Sequence, residues 1–338
     1  MWHAVRLAGS MAAFVALAIW ATIPRCVADD GEGARAAAWR VEHWEQGVRV
    51  EATGRTTGIV ARLPFPKDWP EQQVHIVRTE HDGGVSSVRM ESPGEGVRLM
   101  VVTIPRLEGG QTATARVIFE VRRRDIERPN DVASYRIPKR RSGKLRAYLQ
   151  PSPYIESRDR RIRVAAQRAT RSAKSDWQRV EAIYDWVRSN VRYQFDEQIR
   201  PAVEALQKGH GDCEELTSLF IALCRAEGIP ARAVWVPGHC YPEFYLERSP
   251  GKGKWFPCQA AGSRLFGEMI EHRPILQKGD RFKIPGKSGW QRYVSETLVA
   301  KRAESAPRVV FFRQPLRVAA SGAGTERHAT AGRPPRPD

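Results

Sequence analysis

The alternation of apolar and polar positions divides this 338-residue chain into two parts. From Trp39 to about Tyr148 the apolar residues come in short runs, several of them alternating: Val48-Arg49-Val50-Glu51-Ala52, Val74-His75-Ile76-Val77, Val97 to Ile104 and Ala113 to Val121. Gly, Pro and Asp punctuate them, as at Gly54, Pro64, Gly83-Gly84 and Gly109-Gly110. Short strands with turns at such spacing predict an antiparallel, sandwich-like β domain over 39–148. A Pro-rich joint, Gln150-Pro151-Ser152-Pro153, follows and marks a boundary at about 149–160.

Beyond it the period changes. Ile162 to Arg171 and Trp177 to Asn190 read as helices, with Val180, Ile183, Tyr184 and Val187 on one apolar face. Leu216 to Ala226 is apolar almost all round, the mark of a helix buried in a core. Asp212 caps that helix and Glu215 completes a capping box, so Cys213 stands at the first helical position. Gly228 supplies a left-handed exit and Pro230 bars continuation. His239 to Glu247 and Trp255 to Gln259 then predict a hairpin, with His239 opposite Gln259, Cys240 opposite Cys258 and Glu247 opposite Gly251. Side chains alternate along strands, so His239, Tyr241 and Gln259 would share one face, and Cys240 and Cys258 the other. Phe282 to Ile284, Tyr293-Val294 and Val309 to Phe312 read as edge strands. From Arg313 to Asp338 the Ala, Gly, Pro and Arg content predicts a disordered basic tail.

The first residues change the picture. Arg6, the apolar run Ala8 to Ile23 and Cys26-Val27-Ala28 read as a secretory signal over 1–28, cleaved near Ala28. The run is short for a membrane span, and an uncleaved N-terminal anchor is the alternative. The mature chain is expected to be exported, periplasmic or secreted, with no stable span once the signal is removed. Export implies an oxidising compartment, where a Cys240–Cys258 disulfide could form across the hairpin. The net charge of +17 suits an anionic cell-surface polymer or an acidic protein, and an exported chain has little use for nucleic acid. A solvated Arg-rich surface is the blander reading.

The candidate chemistry sits at the buried helix. A thiol at a helix N-terminus meets unpaired N–H groups and the positive end of the dipole, which favour the thiolate. The same N–H groups could hold an oxyanion. With His239 and the amide of Gln259, Cys213 has the parts of a nucleophile, a general base and an orienting group. The plainer readings are a buried small hydrophobe for Cys213 and a solvated strand end for Gln259. His210, Cys213, His239, Cys240 and Cys258 are metal-ligand types, but their spacing is irregular and no metal is expected. No organic cofactor is required.

Gly211-Asp212-Cys213-Glu214-Glu215-Leu216-Thr217, then Leu223-Cys224-Arg225-Ala226-Glu227-Gly228-Ile229-Pro230, then His239 with Glu243-Phe244-Tyr245, then Trp255-Phe256-Pro257 form an ordered set. In this order and spacing, over roughly residues 160 to 262, the chain resembles the transglutaminase-like superfamily of exported bacterial type. The resemblance implies an α+β, papain-like domain, placed here at 159–312, behind the β-sandwich-like one. It also implies a Cys-His-Asp triad. By position Cys213 takes the nucleophile's place and His239 the base's; the third place, usually Asp, holds Gln259. The implied function is thiol acyl transfer at an amide or peptide bond of a protein or peptide substrate, as peptidase, deamidase or cross-linking enzyme. The alternative is a catalytically weak or inactive module of the same fold that binds an anionic cell-surface polymer or protein.

Overall fold

Strands β1 (Arg40–Glu51), β2 (Thr56–Phe65), β3 (Gln72–His81), β4 (Ser87–Gly94), β5 (Val97–Leu107) and β6 (Thr112–Arg123) come first. The structure, a computed structural model, describes residues 38–316 apart from 141, 285 and 286. The expected signal, 1–28, and the tail from 317 onward lie outside the described residues. The alternation of β6 is fully used: Ala113, Ala115, Val117, Phe119 and Val121 all point into one core. They meet Trp44, Val48 and Val50 of β1 and, from the facing sheet, Ile59, Leu63, Met100 and Val102. The first part is therefore a β-sandwich, as the turn spacing predicts.

After β6 come α1 (Gly143–Ala147), α2 (Arg160–Thr170), α3 (Asp176–Asn190), β7 (Arg192–Tyr193), α4 (Ala202–Lys208), β8 (His210–Gly211) and α5 (Cys213–Ala226). The chain then forms β9 (Ala231–Val236), β10 (His239–Ser249), β11 (Lys252–Pro257), β12 (Gln277–Lys278), β13 (Thr297–Val299), β14 (Arg302–Ala303) and β15 (Arg308–Leu316). Helix α5 is buried along its length, as its apolar run requires, and packs with α2 and α3 against β9 and β10. Trp177 of α3 pins the hairpin, standing edge-on to Phe244, Phe256 and Phe266 at 5.6, 5.1 and 5.3 Å. No helix of the described residues is long and apolar enough to cross a membrane.

Three features differ from the sequence expectation. First, the two parts share a sheet. Gln277 of β12 pairs with Trp235 on one side and Val97 on the other, so β11-β10-β9-β12-β5-β2-β13 is one path. The chain also leaves the sandwich earlier than the Pro-rich joint, because Tyr135 already packs in the helical core. Second, the chain returns to the sandwich after β12. β13 and β14 pair with β2, and β15 pairs with β1 from Glu51↔Arg308 to His43↔Leu316. Residues 313–316 are thus strand rather than disordered tail. The free edge of β1 offers them a ladder, and the Arg313 guanidinium donates to Gln46 Oε1 (2.6 Å) and Pro64 O (3.0 Å). Gly47 makes the crossing possible: a Cβ there would lie 2.2 Å from Ala115 O and 2.5 Å from the Phe312 ring. Between β12 and β13 the expected strands at Phe282 and Tyr293 do not form; Phe282 makes a single bridge, to Gln291.

Third, the hairpin register is two residues from the expected one. Glu247 faces Gly253, Phe244 faces Phe256, and the amide of Cys258 bonds to Pro242 O at 3.0 Å. Gly251 has φ +76 and belongs in the turn between Ser249 and Lys252, and a bulge between Glu247 and Ser249 takes up one residue. Cys258 is therefore not opposite Cys240, and all four described cysteines are free thiols. Pro242 does not interrupt β10; it pairs with Ala233 inside the ladder. A slip of two, unlike a slip of one, leaves every side chain on its expected face.

Candidate active site

Helix α5 begins as its sequence dictates. The Asp212 carboxylate accepts from the N–H of Glu214 at 2.6 Å, and the Glu215 carboxylate accepts from the N–H of Asp212 at 2.8 Å. This capping box leaves Cys213, half-buried, as the first helical residue. Its own N–H precedes the first helical hydrogen bond.

Strand β10 crosses the first turn of α5. The Thr217 hydroxyl donates to Cys240 O at 3.4 Å, and the Cys240 thiol donates to Cys213 O at 3.6 Å. His239, the first residue of the strand, thereby meets the Cys213 sulfur. Its Nε2–H donates to Gln259 Oε1 at 2.9 Å, which leaves Nδ1 for the thiol. The structure brings together all three residues that the pattern singles out, despite the altered register.

Gln259 is itself held from α3. Its carbonyl accepts from Tyr184 Oη (2.9 Å) and Arg188 Nη1 (3.0 Å), and its N–H donates to Leu265 O (2.8 Å). Periodicity marks Tyr184 only as a core residue, and Arg188, one turn on, carries no signal at all. Strand alternation alone points Cys240 away from the site. It reaches Cys213 because α5 packs on the Cys240 face of β10, a choice that strand periodicity cannot reveal.

The charges favour a thiolate. The Cys240 side chain beside the sulfur lowers the Cys213 thiol most; burial opposes it, and the bond and charge of His239 add to it, bringing Cys213 to about 4. Burial acts to lower His239, but the Cys213 thiolate and Gln259 outweigh it, and the imidazole is raised above its usual value. Burial pushes Cys224, Cys240 and Cys258 well up, so they stay protonated. Burial, the bond to Glu215 and the charge of Cys213 raise Asp212 to about 8. Asp212 can thus stay neutral at pH 7 while Glu215 is lowered, its own burial outweighed by bonds from Asp212 and Arg200. This arrangement spares the thiolate a second full negative charge one residue away. Glu214, raised by burial, is paired with the buried Arg292.

A family model described as the transglutaminase-like superfamily matches residues 163–260, the span that carries Cys213, His239 and Gln259. No curated protein matches the chain in sequence. In structure the chain is similar to a candidate cysteine protease from Cytophaga hutchinsonii, with TM-score 0.52 and 16% identity over 84% of this chain and 93% of that one. A candidate protease from Parabacteroides distasonis gives TM-score 0.25 and 16% identity over 69% and 48% of the two chains. The periplasmic domain of TgpA from Pseudomonas aeruginosa gives 0.31 and 13% over 67% and 88%. The helical part of this chain is thus a transglutaminase-like domain of α+β class, behind a β-sandwich.

Proposed function

We propose that the chain is an exported cysteine enzyme that transfers acyl groups from an amide or peptide bond, with Cys213 as nucleophile, His239 as general base and Gln259 as the group that orients the imidazole. The observation that carries this reading is the chain of contacts from the α5 terminus through His239 to Gln259 Oε1 at 2.9 Å. His239 Nδ1 takes the thiol proton, and the thiolate attacks the carbonyl carbon. The N–H of Cys213, outside the helical hydrogen-bond pattern, would meet the developing oxyanion. The imidazolium then returns its proton to the leaving amine, and an acyl thioester remains on Cys213. Water as acceptor completes hydrolysis, and an amine completes cross-linking. Export rests on the N-terminal pattern of charge, apolar run and small residues. The likeness of fold to the candidate cysteine protease from Cytophaga hutchinsonii agrees with proteolysis.

Mass-mapped labelling with limiting iodoacetamide at about pH 6, well below the ordinary thiol pKa, tests the reading. Cys213 is expected to be modified well ahead of Cys224. Equal and slow labelling supports the second reading, a non-catalytic module of this fold that binds an anionic cell-surface polymer or protein. Gln259 is what favours that second reading, because an amide gives an imidazolium less charge stabilisation than a carboxylate would.

Gln259 has its own test. Gln259→Ala frees the ring and is expected to slow Cys213 alkylation about three- to tenfold, the worth of one side-chain hydrogen bond. Gln259→Asp is expected to leave the fold intact and to speed alkylation. An unchanged pH profile in both variants would make Gln259 a bystander and leave a Cys-His dyad.

A further inference from the structure

Segment 192–200 is fastened to the chain on both sides of the nucleophile. Tyr193 of β7 pairs with Gly211 of β8, and Gln194 N–H donates to Gly211 O at 2.8 Å. At the other end the N–H of Arg200 donates to Glu215 Oε1 at 2.8 Å. Gly211 and Glu215 stand two residues before and two residues after Cys213. Between these ties the Asp196 carboxylate accepts from the N–H of Gln198 at 2.8 Å and pairs with the Arg200 guanidinium. The segment thus holds its shape through polar ties.

Its large apolar side chains are not used to hold that shape. Tyr193, Phe195 and Ile199 are 54%, 68% and 45% exposed. Three such residues within seven, on a segment tied down at both ends, are displayed at a cost that single scattered hydrophobics do not carry. Their position relates them to the thiol: Tyr193 pairs with Gly211, two residues before Cys213, and burial and then the Cys213 thiolate raise its phenol. The carboxylate of Glu197 stands exposed among them and would repel an acidic group.

From this placement we infer that Tyr193, Phe195 and Ile199 form a substrate subsite that receives an apolar side chain of a peptide, next to the carbonyl that Cys213 attacks. The inference rests on the proposed acyl-transfer function and specifies its substrate class. Aromatic and branched side chains on a preorganised segment supply contact area at little cost in entropy. A peptide carrying Phe or Leu beside the scissile bond covers them; one carrying Asp or Glu meets Glu197 and the thiolate.

Two peptidyl chloromethyl ketones that differ only in the residue next to the reactive ketone, Phe in one and Asp in the other, test this on the full chain. Iodoacetamide, which has no side chain to place, serves as the reference. The Phe probe is expected to label Cys213 about tenfold faster or more, the scale of discrimination an apolar pocket supplies. Phe195→Ser and the double variant Phe195→Ser/Ile199→Ser are expected to remove most of that preference while the iodoacetamide rate stays the same. Both positions are solvent-facing, and a thermal melt checks that the variants fold. Fast iodoacetamide labelling with no preference between the probes overturns the subsite and leaves the acyl-transfer reading standing. Slow iodoacetamide labelling removes the premise, and the subsite with it. A preference that survives in the double variant, or a double variant that instead turns a dimer into a monomer on sedimentation, also overturns it; the latter would assign the patch to a second copy of the chain.

Discussion

Replacing His239 with alanine is expected to slow alkylation of Cys213 at pH 6 by between about 10- and 300-fold. The upper limit follows from ionisation. With Cys213 at about 4 the sulfur is almost wholly thiolate at that pH. A free cysteine, with pKa near 8.5, is only about 0.3% thiolate at pH 6. The lower limit follows from what the substitution leaves behind. The Cys240 thiol, the largest single influence that lowers Cys213, remains, and so does the helix terminus. His239→Ala should therefore fall short of the full loss, and His239→Ala/Cys240→Ala should approach it. Second-order alkylation rates across pH, with a thermal melt to show that each variant folds, give the answer. A wild-type rate that rises only near pH 8 to 9, or a His239→Ala rate equal to wild type, would sink the ion pair.

On the proposed acyl-transfer function the two shifts would also set the pH limits of turnover, at opposite ends. Cys213 is depressed, so alkylation and turnover are both lost as pH falls through about 4 and the thiolate takes up a proton. His239 is raised, so the imidazolium persists to higher pH than in a free histidine and is lost as pH rises through that raised value. Above it, alkylation continues because it needs only the thiolate. Amide turnover falls because no proton remains for the leaving amine. Because the pair exchanges one proton, the two limits belong to the pair rather than to either residue.

What the sequence disclosed, and what it did not, follows the range of the interactions. The capping box at Asp212 and Glu215 joins neighbours three apart, and its pattern is a local signal that survived intact. The sharing of one face by His239 and Gln259 depends only on parity, so it held although the register did not. The register itself hinged on whether Gly251 belonged to a strand or to the turn, which its positive φ decides. The role of Cys240 depended on which face of β10 receives α5, a tertiary choice. The return of β15 to β1 was harder still: Val48 and Phe311 pair across most of the chain, and the short run Val309 to Phe312 bears no mark of its partner. Long-range pairings of this kind leave a local pattern of strand but no address.

Lys278 shows the same limit energetically, and its replacement by methionine is expected to destabilise the protein by about 3–5 kcal/mol. Its ammonium is 2% exposed, in contact with Glu71 of the sandwich and with Glu243 of β10 at 2.6 Å. Glu243 Oε2 accepts from Arg232 Nε at 3.0 Å, so its two oxygens serve two cations. Burial would raise the Glu243 carboxyl, but Lys278 and then Arg232 outweigh it, and it is lowered. Methionine fills the space of the lysine stem and leaves two buried carboxylates to one guanidinium. Since β12 lies in the sheet path of both parts, the loss should lower a single melting transition rather than split it. The pH dependence separates charge from packing. In the wild type the contribution of Glu243 is present above the unfolded carboxyl value, about 4.3, and is lost as pH falls through its lowered folded value. In Lys278→Met the buried Glu243 loses the larger of the charges that lower it, so acid should restore part of the lost stability. Urea midpoints at pH 7 and pH 5 should therefore converge for the two proteins. If the gap between them stays constant over that interval, the methionine is costing packing alone, and the buried ion pair is not what joins the sandwich to the sheet of the active site.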